Sequence, residues 1–184
     1  MPDLTIVGID AGFTATGLVA IDLSANRVIA SGCPRTQKTS AKRGVRVADD
    51  DAERCAQLAR EVAAFLHRTM PQVVVVELPS GGAQGARPNR AMGLATGMIA
   101  AVLELGGYAT EWVTPGMVKK VATGTNKGSK EQVEAAVRAR FDWGPNLPKT
   151  MAEREHICDA AGAVMAAEHG ALIQAVRTMQ RGVV

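Results

Sequence analysis

The segment Gln72–Glu77 limits the fold of this chain more than any other stretch, because it holds four consecutive valines. A strand with one face in solvent alternates apolar and polar residues, whereas an unbroken β-branched run suits a strand that is buried on both faces. Such a strand lies inside a sheet that helices cover on both sides. Pro71, just before the run, ends the preceding helical pattern. The run therefore predicts an α/β protein.

The elements around this strand complete the pattern. Short turns separate three predicted strands, Leu4–Asp10, Thr16–Asp22 and Arg27–Cys33, which therefore form an antiparallel meander. Helical periodicity and capping signals predict the other elements, which are helices over 49–69, 89–106, 129–140 and 152–169, a strand over 108–113 and a short helix from 115. We expect a five-stranded mixed sheet, with three antiparallel strands followed by two parallel ones, and helices on both faces.

The whole chain, residues 1–184, is expected to form a single domain, since neither a repeat nor a shift in composition divides it. Residues 171–184 are expected to form a helical or flexible C-terminal tail. The three scattered cysteines fit reduced thiols, no apolar run reaches membrane-spanning length, and no signal peptide is expected. These features favour a cytoplasmic protein without a membrane partner, acting in a bacterial nucleoid or a phage-infected cell.

Acidic residues occur at three positions that the predicted fold brings together. Asp10 ends the first strand, Glu77 ends the valine strand, and Asp159 lies on the last long helix, with His156 three residues before it on the same face. If the first and fourth strands are neighbours, the carboxylates of Asp10 and Glu77 are adjacent. Clustered carboxylates repel one another unless a cation lies among them, and Mg²⁺ and Mn²⁺ prefer such oxygen ligands. A buried Asp10 is tolerated if it holds a metal ion.

Five segments, taken in order along the chain, resemble one known family; they are GIDAGFTATG, SGCPRT, VVVVELP, VTPGMVKKVATGTNKGSKEQV and HICDAAGAVMAAEHG. At these residues the chain resembles the RuvC family of Holliday-junction resolvases, within the RNase H-like superfamily, over about residues 4–170. The resemblance implies a homodimer that nicks four-way junctions or related branched DNA, with no nucleotide cofactor. It implies two Mg²⁺ or Mn²⁺ ions in each active site.

The resemblance also assigns roles to individual residues. It implies that the metal site is formed by Asp10, Glu77, His156 and Asp159. Lys119 and Lys130 correspond to the two family lysines near the scissile phosphate. His156 is expected either as a ligand or as the group that positions or deprotonates the attacking water.

One segment departs from the family pattern. After the metal-site glutamate, members of the family often carry an aromatic residue that stacks on bases near the crossover, whereas this chain has Leu78-Pro79-Ser80-Gly81-Gly82. The departure leaves base stacking and cleavage-sequence preference open. It suggests a divergent member of phage or plasmid type.

Basic residues outside the acidic cluster are candidates for contacts with the DNA backbone. The net charge of +3 permits a nucleic-acid partner without requiring one, but residues 34–47 include five basic residues and no acid. Contacts with phosphates would make the affinity salt-dependent. The candidate DNA-binding residues are Arg35, Lys38, Lys42, Arg43, Arg46, Arg87, Arg90, Lys120 and Lys127.

Two other functions remain open. The segment GIDAGFTATGLVAID also resembles the first phosphate loop of the sugar kinase, Hsp70 and actin superfamily, although this chain has room for one domain where ATP-binding members need two. The second alternative is a junction-binding protein that no longer cuts. Taken alone, Asp10 is equally consistent with a turn, and His156 with a satisfied surface histidine. Glu155 reads as a solvated charge, or as a replacement for His156 if the helix has a different phase.

Overall fold

The computed structural model describes residues 4–39, 44–78 and 85–181, and contains a sheet with the strand order β3-β2-β1-β4-β5. β1, β2 and β3 pair antiparallel, and β4 runs parallel to both β1 and β5. The predicted five-stranded mixed sheet is therefore confirmed. The strands are β1 (Thr5–Asp10), β2 (Gly17–Asp22), β3 (Arg27–Gly32), β4 (Val73–Glu77) and β5 (Thr110–Val113).

Helices connect and cover the strands of the described residues. Several begin where local signals place them: the Thr114 hydroxyl caps α3 ahead of Pro115, and Ser129 and Gln132 form a capping box at α4. None of the described helices is both long and apolar enough to cross a bilayer. The helices are α1 (Val47–Thr69), α2 (Ala86–Leu105), α3 (Pro115–Thr123), α4 (Lys130–Arg140), α5 (Met151–Ala167) and α6 (Ala171–Arg181).

Among the element boundaries that differ from the sequence-based prediction, two have a clear local cause. α2 begins at Ala86 and not at Asn89, because Pro88 falls in the first helical turn, where backbone N–H groups have no partner within the helix and a proline is tolerated. β5 begins at Thr110 because the N–H of Tyr108 still donates to the carbonyl of Leu103 at the end of α2. The first difference places Arg87 on a helix and not in a loop.

The four valines of β4 are fully buried and alternate between two cores. Val73 and Val75 pack in the core that α3, α4 and α5 cover, whereas Val74 and Val76 pack in the core beneath α1 and α2. Complete burial of one such side chain stabilises the fold by about 1.5–3 kcal/mol. Helices therefore cover both faces of the sheet, as the valine run predicts.

Candidate active site

The pairing of β1 with β4 brings Asp10 and Glu77 together. Asp10 is the register partner of Glu77 in this parallel pair, so the two side chains project from the same face where both strands end. Crevices at the carboxyl ends of parallel strands are the usual ligand sites of open α/β sheets. The adjacency expected from the sequence is present in the structure.

Helix α5 lies on this face and presents His156 to Asp10. The His156 Nδ1 and Asp10 Oδ2 atoms are 2.7 Å apart, which is a hydrogen bond. Asp159 lies three residues further along the same helix. The side chain of His156, which the sequence analysis placed in the site ahead of Glu155, is therefore the one that faces the strand ends.

Two glycines set the distance between α5 and the sheet. A Cβ atom at Gly17 would lie 2.0 Å from the carbonyl oxygen of His156, and one at Gly8 would lie 2.1 Å from that of Ala160. Real Cβ atoms do not approach oxygen so closely, so only glycine fits at either position with the helix where it is. This close approach of backbone to backbone carries His156 to within hydrogen-bonding distance of Asp10.

A cavity of about 380 Å³ lies between the strand ends and α5. Part of its wall is apolar, and an apolar wall strengthens the electrostatic interactions inside a cavity. The apolar part comes from Met92, Pro115, Val118 and Val133. All six predicted catalytic residues line the cavity; they are Asp10, Glu77, Lys119, Lys130, His156 and Asp159.

Two acids in the cavity bind protons more tightly than ordinary carboxylic acids. Burial, followed by the negative charges of Asp10 and Asp159, raises the pKa of Glu77 to about 8. Burial, followed by the charge of Asp10, raises the pKa of Asp159 to about 6. Mutual repulsion of this kind is relieved when a cation enters the site. Binding of a cation in the cavity is therefore electrostatically favourable.

Hydrogen bonds with acids also shift the pKa of two basic residues at the cavity. The bond to Asp10 raises the pKa of His156, because the carboxylate favours the charged ring. The bond to Glu155 raises the pKa of Lys130. Glu155 is an exposed charge, as the sequence suggests, and it is also the ion-pair partner of a predicted catalytic lysine.

The donor chemistry of the cavity fits a hard divalent cation, because three carboxylates and one imidazole line it. Among the described residues, no three His, Cys, Asp or Glu side chains stand close enough together to form a preassembled ion site. Asp10 is instead hydrogen-bonded to His156.

The raised pKa of Glu77 predicts that Glu77→Gln stabilises the metal-free protein. Because this pKa lies above the ordinary value, the contribution of Glu77 to stability is fully present below pH 4.5 and is lost as the pH rises through about 8. A glutamine at this position does not ionise, so the stability of the variant does not fall in this way as the pH rises. In EDTA at pH 8 we expect a gain on the order of 2 kcal/mol, or about 4–8 °C in melting temperature.

Thermal melts followed by circular dichroism in EDTA, from pH 5 to pH 8, test this expectation. The gap between variant and wild type should widen with pH, and Mg²⁺ should stabilise only the wild type. Glu61→Gln removes the same charge from an exposed position on α1 and should show no pH-dependent gap. A Glu77→Gln variant that melts below the wild type at pH 8 in EDTA would contradict the electrostatic account.

Comparison with known proteins decides the family. A family model described as Crossover junction endodeoxyribonuclease RuvC matches residues 6–166. The chain belongs to the RuvC family. RuvC members are metal-dependent nucleases, and this chain is a crossover junction endodeoxyribonuclease that resolves Holliday junctions.

Bacterial relatives support the RuvC assignment along most of the chain. The RuvC of Zymomonas mobilis is 31% identical over 136 residues, which are 73% of this chain and 75% of that protein. The RuvC of Parvibaculum lavamentivorans is 29% identical over 168 residues, 90% of this chain and 87% of that protein. These relatives give no support to the expected phage or plasmid origin.

Solved RuvC structures share the fold. Thermus thermophilus RuvC in complex with a Holliday junction substrate superimposes with a TM-score of 0.73 at 23% identity, covering 93% of this chain and 96% of that one. The yeast mitochondrial Holliday junction resolvase Ydc2 superimposes with a TM-score of 0.58 at 15% identity, covering 100% and 86%. The predicted RNase H-like fold of the RuvC type is confirmed.

The predicted DNA-binding residues fall into two groups. Lys120 and Lys127 are exposed on and just after α3, which supplies Lys119 to the cavity. In the second group, Lys38, Arg87 and Arg90 line a depression between the N-terminal parts of α1 and α2, where Arg90 pairs with Asp51. Arg35 and Arg46 are exposed and do not line it. Lys42 and Arg43 lie outside the described residues, as does the segment 79–84 where the family aromatic is missing. The second group is Arg35, Lys38, Arg46, Arg87 and Arg90.

Sequence reasoning missed one basic residue of that depression. Arg54 lies 4.2 Å from the centre of the Phe13 ring, and its Nε donates to the Thr36 hydroxyl. These contacts join α1 to the loop that follows β1 and to the segment that follows β3. A helical arginine carries no local signal for such a contact, because Phe13 and Arg54 come together only in the folded chain.

Proposed function

We propose that the cavity is the cleavage site of this resolvase, with Asp10, Glu77, His156 and Asp159 holding two Mg²⁺ or Mn²⁺ ions. One observation carries the proposal: three acids, a histidine and two lysines from five separate elements line the same cavity at the end of the sheet. Ions bound there would activate the attacking water and neutralise charge on the scissile phosphate. Carboxylates with raised pKa values in a cleft are typical of such sites.

The lysines act on the phosphate. Lys119 comes from α3 and Lys130 from the first position of α4, so the two lysines line the cavity from helices other than α5. They bind the oxygens of the scissile phosphate and stabilise the negative charge that grows during attack by water. Two fixed positive charges also restrict how the backbone of one DNA strand can enter.

His156 has two roles open to it. Its hydrogen bond to Asp10 orients the ring toward the strand ends. In that position the ring either ligates an ion in its neutral form or accepts a proton from the attacking water. Both roles require the neutral ring, and the contact with Asp10 opposes that state by raising the pKa of His156. Cleavage should therefore increase with pH on the acid side of neutrality.

We extend the proposal to DNA binding and assembly. The two groups of basic residues contact the backbone of branched DNA in the bacterial nucleoid, with salt-dependent affinity. A homodimer places two cavities on one junction. The face of α2 that carries Gly93 and Gly97 suits a close helix–helix contact, because among the described atoms nothing lies within 4 Å of a Cβ built at either position.

Gly97→Glu should convert the dimer to a monomer, because a charged side chain would replace the open space where a partner helix packs. The change does not disturb the monomer, since the Cβ meets no described atom and glycine is a poor helix former. Size-exclusion chromatography with light scattering gives the mass. Ala52→Glu adds the same charge on the exposed face of α1 and should remain dimeric. A dimeric Gly97→Glu protein would rule out this face.

Cleavage of a labelled four-way junction, beside a linear duplex, in Mg²⁺, Mn²⁺ and EDTA tests the proposed function. We expect paired symmetric nicks in the junction with either metal and none in EDTA or in the duplex. Tight binding without nicks in any metal would favour the alternative of a junction-binding protein that no longer cuts. Equal cleavage of junction and duplex would contradict a resolvase.

A further inference from the structure

Lys130 lies between two acids that compete for its ammonium group. Its Nζ contacts the carboxylate of Glu155, whereas it stands 4.0 Å from Asp159 Oδ2. Lys130 and Asp159 line both the catalytic cavity and a neighbouring depression, whereas Glu155 lines only that depression. The ammonium group therefore sits on the border of the catalytic cavity, drawn outward by Glu155.

The two possible ion pairs differ in environment. The side chain of Asp159 is 25% exposed and that of Glu155 is 46% exposed. A pair with the more buried carboxylate gains more Coulomb energy, because solvent screens it less. Without a competitor, Lys130 would close the remaining distance and form a direct pair with Asp159. That pair would occupy a carboxylate needed for an ion.

We propose that Glu155 is a positioning residue that holds Lys130 off Asp159 and so keeps the Asp159 carboxylate free for a divalent cation. The inference rests on the proposed function, since it assumes that Asp159 is a ligand. Glu155 lies next to His156 on α5, but its side chain leaves the helix toward α4 and contacts Lys130. It touches neither the cavity nor a reacting atom, and it acts only through the lysine.

Glu155→Gln is expected to weaken Mn²⁺ binding about fivefold, because the freed ammonium group of Lys130 then pairs with Asp159. In a Lys130→Met background the same change should alter Mn²⁺ affinity by less than about twofold, since no ammonium group is left to move. If Glu155 acts by positioning Lys130, its effect on Mn²⁺ affinity depends on the presence of Lys130. If Glu155 acts only through its negative charge near the ion, the effect is the same in both backgrounds.

Titration calorimetry with Mn²⁺ on the wild type, Glu155→Gln, Lys130→Met and the double variant measures these affinities without DNA or cleavage. Glu131→Gln is the matched control: it removes the same charge from the same depression, and its affinity for Mn²⁺ should stay within about twofold of the wild type. A fivefold loss that disappears in the Lys130→Met background would support the inference.

Two results would overturn the inference: an unchanged affinity in Glu155→Gln, or a loss of the same size in both backgrounds. A wild-type protein that binds no Mn²⁺ in the cavity, shown by an identical titration of Asp159→Asn, would instead overturn the proposed metal site. The failure of the inference and the failure of the proposed function are therefore distinguishable. Circular dichroism melts of each variant confirm that the proteins titrated are folded.

Discussion

Asp10→Asn should reduce the cleavage of a four-way junction at least about 10²–10³-fold while leaving junction binding within about twofold. Asp10 contacts His156 and is the register partner of Glu77, so it is the acid at the centre of the cluster. Asparagine keeps the size of the side chain but removes the negative charge that holds an ion. The DNA-binding candidates lie on other elements and are unaffected.

Single-turnover cleavage in Mg²⁺ and gel-shift titration in EDTA measure the two quantities separately. Asp49→Asn is the matched control, because it makes the same change at an exposed position on α1, where Asp49 pairs with Arg46. That control should cleave at the wild-type rate. Cleavage by Asp10→Asn within tenfold of the wild type would show that the cavity is not the site of the reaction.

Gly17→Ala should lower both the stability of the protein and its cleavage rate, although the change adds only one methyl group. The new Cβ would lie 2.0 Å from the carbonyl oxygen of His156 and 2.4 Å from the carbonyl carbon. Helix α5 must then move away from β2. Overpacking of this kind costs about 1–3 kcal/mol, and a displacement near 1 Å at catalytic groups costs about 10²-fold in rate.

Urea unfolding gives the change in stability, and cleavage assays well below the unfolding midpoint give the rate of the folded variant. Gly32→Ala on β3 is the control, since its Cβ would make only ordinary contacts, at 3.8 Å, with the Phe65 ring. We expect that variant to keep the wild-type rate. A Gly17→Ala protein that is folded and fully active would show that the spacing of α5 does not position His156.

Sequence patterns are most informative about this fold where the cause of the structure is local. The valine run specifies a strand that is buried on both faces and ends at Glu77. Once β1 and β4 are neighbours, Asp10 and Glu77 lie side by side at the strand ends. The cap at Ser129 is equally local, because the hydroxyl and the N–H that it accepts from are three residues apart. For each of these features the sequence predicts the individual residues involved.

The features that the sequence does not reveal depend on distances between elements. The contact of Glu155 with Lys130 joins α5 to α4, and the requirement for glycine at positions 8 and 17 arises from the approach of α5 to the sheet. No periodicity or residue spacing in the sequence signals either of these features. Glu155 resembles any charged residue on a helix until the neighbouring helix is in place.

Anomalous diffraction from crystals grown with Mn²⁺ and junction DNA tests the central claim most directly, which is that the cavity is a two-metal cleavage site. The account predicts two manganese peaks about 3.5–4 Å apart inside the cavity. The absence of any peak in the cavity, with junction DNA bound beside it, would contradict the account.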